Sequence, residues 1–177
     1  MRIKPYLAPP YYPVPPRGDQ AARVLPIAAH FQVTQYTCGF ASVLTVLKSY
    51  GRSVNERELY RRLGTGRDGT SEVAILSELD RAGIAAEVRH DLSFPEIRQV
   101  VDQRRLIIGY HGGLDHWLVL HGYGTDPERV FVADSLVGNR RVHPWADYGP
   151  KLGGFGIVCR RGSAVARRLP ERDRRAA

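Results

Sequence analysis

Three residues of this chain have types that together can do nucleophilic chemistry: Cys38, His116 and Asp134. Cys38 is followed by Gly39 and then by Val43, Val46, Leu47 and Tyr50 at helical spacing, with Gly51 ending the run. The thiol therefore falls at or just before a helix N-terminus, where the dipole favours the thiolate, the attacking form of cysteine. Gly39 beside it lets the backbone come close to a reacting carbonyl. His116 opens the apolar run HWLVLHGYG, and Asp134 stands in VFVADSL. If the two strands form a hairpin through YGTDPER, Asp134 can come beside the ring of His116. There a carboxylate accepts the imidazole N–H, fixes its tautomer and stabilises the imidazolium. The set reads as nucleophile, base and orienter for attack on a carbonyl. Singly, each residue has a plainer reading: a small buried hydrophobe, a histidine at a strand edge, an aspartate where a strand meets a turn. Their order along the chain strengthens the chemical reading.

Other chemistries find less support. Cys38 and Cys159 are far apart and neither belongs to a C-x-x-C pair, so no zinc is expected. His116 and His121 are five positions apart, an odd spacing that puts them on opposite faces of a regular strand and keeps them from sharing a metal. No cofactor is implied. A disulfide between the two cysteines is possible, but an intracellular chain of this size needs none. No apolar run approaches the roughly eighteen residues of a membrane span, and the N-terminus lacks the apolar core of a signal peptide. A cytoplasmic protein is expected. The formal charge of +8 and pI near 9.9 raise the question of nucleic acid. Much of the excess lies in CRRGSAVARRLPERDRRAA, with no aromatic platform or recognition motif beside it, so a solvated tail is the better reading.

The elements that must position these residues can be read next. Residues 1–26 carry Pro9, Pro10, Pro13, Pro15, Pro16 and Pro26, a density that forbids helix and central strand and predicts an extended arm. A helix starts at Cys38. NERELYRRLGTG predicts a short helix capped by Asn55, and RDGTSEVAILSELDRAGI a second capped by Thr70 or Ser71 and closed by Gly83. AAEVRH reads as a strand, SFPEIRQVVDQRR as a helix and LIIGYH as a buried strand. HWLVLHGYG, VFVADSL and GFGIVC complete a β-rich second half. The glycines of KLGGFG shape the approach to that last strand. Helices first and antiparallel strands afterwards define an α+β class. The expected organisation is an arm over 1–26, one domain over 27–160, and a basic, disordered tail over 161–177.

The run QVTQYTCG at residues 32–39, the helix ending in SYG, the DGTS before the next helix, the unit ending in LIIGYH, and HWLV followed by VFVADS are together similar to the bacteriocin-processing cysteine peptidases that cut after double-glycine leaders. The similarity covers roughly residues 27–158. It implies a papain-like fold, with helices carrying Cys38 packed on an antiparallel sheet carrying His116 and Asp134. It also implies an oxyanion-hole donor six positions before the cysteine, a spacing that Gln32 meets and Gln35 does not. A side-chain amide with the Cys38 backbone N–H can hold a developing oxyanion, at about 3 kcal/mol per donor. Two positions depart from the pattern: Thr37 where the family commonly has an acid, and Ser135 where it commonly has proline. With no exporter attached, the chain resembles the free-standing branch. The expected activity is hydrolysis of a peptide or amide bond in a peptide or protein substrate. An acyltransferase using the same triad and a non-catalytic peptide-binding domain are the alternatives.

Overall fold

The helices start where the sequence offers caps. In a computed structural model, which describes residues 21–162, α1 runs Cys38–Ser49 with the nucleophile candidate as its first residue. α2, Glu56–Arg62, starts at Asn55, whose side chain accepts the Glu58 N–H at 3.2 Å. α3, Glu72–Arg81, starts at Ser71, which accepts the Ala74 N–H. α4, Phe94–Asp102, is stapled by Glu96, which accepts from both the N–H and the hydroxyl of Ser93 at 2.7 Å. α5, Trp145–Leu152, closes at Gly153, a left-handed residue (φ 58°). The acids of the first turns and the arginines that end α2 and α3 complement the helix dipoles.

The strands are β1 (Ala22–Val24), β2 (Ile84–Arg89), β3 (Leu106–His111), β4 (His116–Thr125), β5 (Glu128–Asp134), β6 (Gly138–Pro144) and β7 (Gly156–Arg161). They form one sheet in the order β2-β7-β3-β4-β5-β6, with β1 paired to the far half of β4, and every pairing is antiparallel. Period-two alternation divides the central strands between two cores. Leu106, Ile108, Trp117, Val119, Ile157 and Cys159 face α1, α2 and α3. Ile107, Leu118, Leu120 and Val158 face α4 and α5. The central strands are therefore covered on both faces, which explains their unbroken apolar runs.

The α+β reading and the helical layer against an antiparallel sheet are as expected. Three details differ. Residues 22–24, inside the expected arm, hydrogen-bond to β4, and Leu25 packs against both cores while its N–H donates to the His121 carbonyl at 2.8 Å. The folded part thus begins before residue 27, because an edge segment between prolines can still pair. β2 lies among the helices in sequence yet joins the sheet through β7. β6 and α5 are further elements between Asp134 and the last strand. Residues 1–20 and 163–177, which hold most of the expected arm and tail, lie outside the described residues.

Candidate active site

Cys38 is the first residue of α1, so its side chain leaves the helix at the end where N–H groups are unpaired. The helix is pressed against the sheet by Val43, Val46 and Leu47. Gly39 makes the approach possible: a Cβ there would lie 2.6 Å from Thr70 Cβ and 3.1 Å from Trp117 Cδ1. The glycine is thus required by the fold around the cysteine. Thr70 in turn is fixed by Thr65, whose hydroxyl lies 2.8 Å from its own, and by the indole N–H of Trp117, which donates to the Thr70 carbonyl at 3.0 Å. α2 and α3, between which this loop hangs, are tied by the buried Glu78 carboxylate, which accepts from Arg62 Nε at 2.9 Å and from Arg81 at 3.2 Å.

His116 enters β4 from a one-turn helix over Gly112–Leu114 and then Asp115, which adopts a left-handed conformation (φ 50°). Aspartate tolerates that region because its short side chain finds local partners, and here the Tyr110 hydroxyl donates to its carboxylate. β4 and β5 pair as a hairpin, Val119 opposite Ala133, and Asp134 Oδ1 comes to 2.8 Å from His116 Nε2. The Leu136 N–H donates to the same carboxylate oxygen at 2.9 Å. Nε2 being taken, Nδ1 is the ring nitrogen left to serve Cys38, and His116 is among the groups that favour the thiolate there. All three groups are buried.

Electrostatics follow from this chain of contacts. Burial opposes the Cys38 thiolate, but His116 and the backbone of Trp117 and Gly39 outweigh it, and the thiol is held below its ordinary 9.0. Burial also pulls His116 down, yet Asp134 and Cys38 raise it to about 9. Asp134, pushed up by burial, ends below its ordinary value because of His116 and the N–H groups of Leu136 and Val137. A depressed thiol beside a raised imidazole is the signature of a thiolate–imidazolium pair. Cys159 shows the contrast: fully buried in the apolar core, its thiol is pushed up to about 12.

Cys38 opens on a cleft of about 660 Å³ walled by the aromatic rings of Tyr36, Tyr110, Trp117 and Phe155 and by the loop through Gly69 and Thr70. Tyr110 packs on Trp117 at 5.0 Å between ring centroids. Gln35 lines this cleft. Gln32 lies to one side, half-buried, its Nε2 donating to the Thr34 carbonyl at 2.9 Å and its Oε1 accepting from the Ser135 hydroxyl at 2.8 Å. His121 is elsewhere, its Nδ1 against the Leu25 carbonyl at 3.1 Å. Trp117, Thr70, Tyr110 and Asp115 were not singled out from the sequence as site residues. The position of Trp117 directly after His116, and the DGTS loop, were the available signals. Among the described residues no group of three or more His, Cys, Asp and Glu side chains could hold a metal ion. Among them, too, no helix is long and apolar enough to cross a membrane.

A helical layer that carries a cysteine at a helix start, set on an antiparallel sheet that carries a histidine, is a papain-like fold, and the class it defines, cysteine peptidase, is the one the family match supports. A sequence profile of the Peptidase C39 family matches residues 27–144, and the chain belongs to that family. It is 29% identical over 114 residues to an uncharacterized protein of Methanothermobacter marburgensis, a match covering 63% of this chain and 73% of that one. Its fold is similar to a double glycine motif protease from an AMS/PCAT transporter, solved with its leader peptide (TM-score 0.61, 18% identity, 77% of this chain and 92% of that one). It is likewise similar to the peptidase domain of Streptococcus ComA (TM-score 0.61, 17% identity, 77% and 98%). The N-terminal C39-like domain of a Vibrio parahaemolyticus toxin secretion protein matches at TM-score 0.56, with 17% identity over 70% and 96%.

Proposed function

We propose that the protein hydrolyses a peptide bond through Cys38, His116 and Asp134, with Gln32 and the Cys38 N–H as oxyanion donors. The observation that carries this reading is that Cys38, at the start of a helix, opens on a substrate-sized cleft and has its thiol lowered by a His116 that Asp134 holds at 2.8 Å. The thiolate attacks the carbonyl carbon, and the oxyanion is met by N–H groups that already point outward at the helix terminus. His116, as imidazolium, gives its proton to the leaving amine, and the acyl group remains on sulfur. His116 then takes a proton from water, which attacks the thioester and frees Cys38. Asp134 stays ionised throughout and keeps Nε2 protonated. The walls of the cleft, aromatic rings and a glycine-containing loop, suit an extended peptide, and a relative of this fold is a double glycine motif protease solved with its leader peptide.

The test is cleavage of peptides spanning a Gly-Gly segment, followed by mass analysis. The expected outcome is a cut that Cys38→Ala and His116→Ala abolish. Adding a primary amine separates hydrolysis from transfer: an amide product in place of the free acid assigns the reaction to an acyltransferase. Gln32→Ala is expected to lower kcat about 100-fold, and Gln35→Ala to alter KM at most. The opposite pattern moves the oxyanion role to Gln35, the glutamine that lines the cleft.

A further inference from the structure

Ser135 sits between the orienting aspartate and an exposed loop, and it is itself buried, at 4% exposure. Its hydroxyl donates to Gln32 Oε1 at 2.8 Å, and its carbonyl accepts the Gln32 backbone N–H at 3.1 Å. On the other side of the amide, Nε2 donates to the Thr34 carbonyl. A carbonyl can only accept, so turning the amide over would set Oε1 against the Thr34 oxygen. Thr34 is held in its turn by Thr37, whose hydroxyl donates to the Thr34 carbonyl at 3.0 Å and accepts the N–H groups of Val33 and Thr34, each at 3.1 Å. A line of hydrogen bonds thus runs from Thr37, just before the nucleophile, through Thr34 and Gln32 to Ser135, just after the orienter.

We propose that Ser135 is a positioning residue for the reaction: with the Thr34 carbonyl it fixes the Gln32 carboxamide so that the second Nε2 N–H is aimed at the oxyanion. The proposal rests on the reading of Gln32 as oxyanion donor. An amide held at its oxygen, at one N–H and at its backbone has no rotation left to lose when the tetrahedral intermediate forms. The serine does not touch the substrate. It also couples the loop before α1 to the end of β5, so the donor and the orienting carboxylate are set by one piece of structure.

Two probes separate this role from a merely structural one. Iodoacetamide alkylates the thiolate without an oxyanion. The peptide aldehyde acetyl-Gly-glycinal adds reversibly to the thiol, giving a tetrahedral hemithioacetal whose oxygen needs the donors. Wild type, Ser135→Ala, Gln32→Ala and the double variant are compared as the full chain. The alkylation rate against pH is expected to be the same in all four. Aldehyde affinity is expected to fall roughly tenfold in Ser135→Ala and about 100-fold in Gln32→Ala, with less than about a twofold further loss when Ser135→Ala is added to Gln32→Ala. Three results overturn the proposal: full aldehyde affinity in Ser135→Ala, losses that multiply in the double variant, or an alkylation rate that drops in step with the aldehyde. If Gln32→Ala itself keeps aldehyde affinity, the reading of Gln32 fails and the role of Ser135 with it. That result is distinct from a failure of Ser135→Ala alone.

Discussion

Replacing Asp134 by Asn removes one charge from the buried line Cys38–His116–Asp134 and leaves its shape almost unchanged. Despite burial, the influence of Asp134 and Cys38 raises His116 from 6.5 to about 9. That net rise corresponds to roughly 3 kcal/mol in favour of the imidazolium, and because burial acts against it the two partners together supply more than this. Removing the Asp134 charge takes part of that support away and lowers the His116 pKa. The thiolate–imidazolium pair is populated over the neutral pair by the difference between the two pKa values, so each unit lost costs about tenfold in population. The assay is alkylation by iodoacetamide between about pH 5 and 10, read by peptide mass analysis. Cys159 serves as an internal control, being fully buried with its thiol pushed up to about 12. Wild-type Cys38 is expected to react at pH 6 far faster than an ordinary thiol. Asp134→Asn should be slower there by about tenfold for each unit lost and should converge on wild type above about pH 9, where any thiol ionises. Equal rates at pH 6 would refute the argument that Asp134 holds the pair together.

The remaining expectations are simpler. The pH profile of kcat/KM should be bell-shaped. Its acid limb lies where the depressed Cys38 thiol is reprotonated, and its alkaline limb at about 9, where His116 gives up the proton the leaving amine needs; an activity still rising above pH 10 contradicts it. Gly39→Ala drives a methyl group into Thr70 and Trp117 and should cost about 1–3 kcal/mol, lowering the calorimetric midpoint by several degrees. An unshifted midpoint means the loop yields freely. Tyr50→Phe removes the hydroxyl that donates to the Cys159 carbonyl at 2.6 Å and accepts the Leu106 N–H at 2.9 Å. With two buried backbone groups left unpaired, urea unfolding should show a loss of about 1–3 kcal/mol at constant slope.

Much of the fold was legible because the residues that start and stop helices also stand in sequence where they stand in space. Asn55, Ser71 and Ser93 mark helix starts whatever the tertiary fold does. The apolar runs of β3, β4 and β5 report strands covered on both faces. β6 was not legible: at the sheet edge it reads GNRRVHP, with no apolar alternation to display. α5 hides its helix behind Gly149 and Pro150. The three-residue β1 depends wholly on β4 for its pairing. At the candidate site, the pairing of His116 with Asp134 could be anticipated from one hairpin. The positions of Trp117, Thr70 and Ser135 depend on contacts across 47 residues in one case and 103 in another, and no local pattern encodes those.

The place of β7 in the sheet has a consequence for the order of synthesis. β7 is the last described strand to leave the ribosome, and it lies between β2 and β3, pairing with both. Until it arrives, those two strands each lack the neighbour that takes up one row of backbone N–H and C=O groups, and the core facing α1 lacks Ile157 and Cys159. Cys38 stands early in the described chain, and the sheet on which its helix rests needs the last described strand to be complete. Among the described strands, the one that completes the sheet beneath the Cys38 helix is thus the last in sequence, so that sheet is held together by contacts between distant parts of the chain.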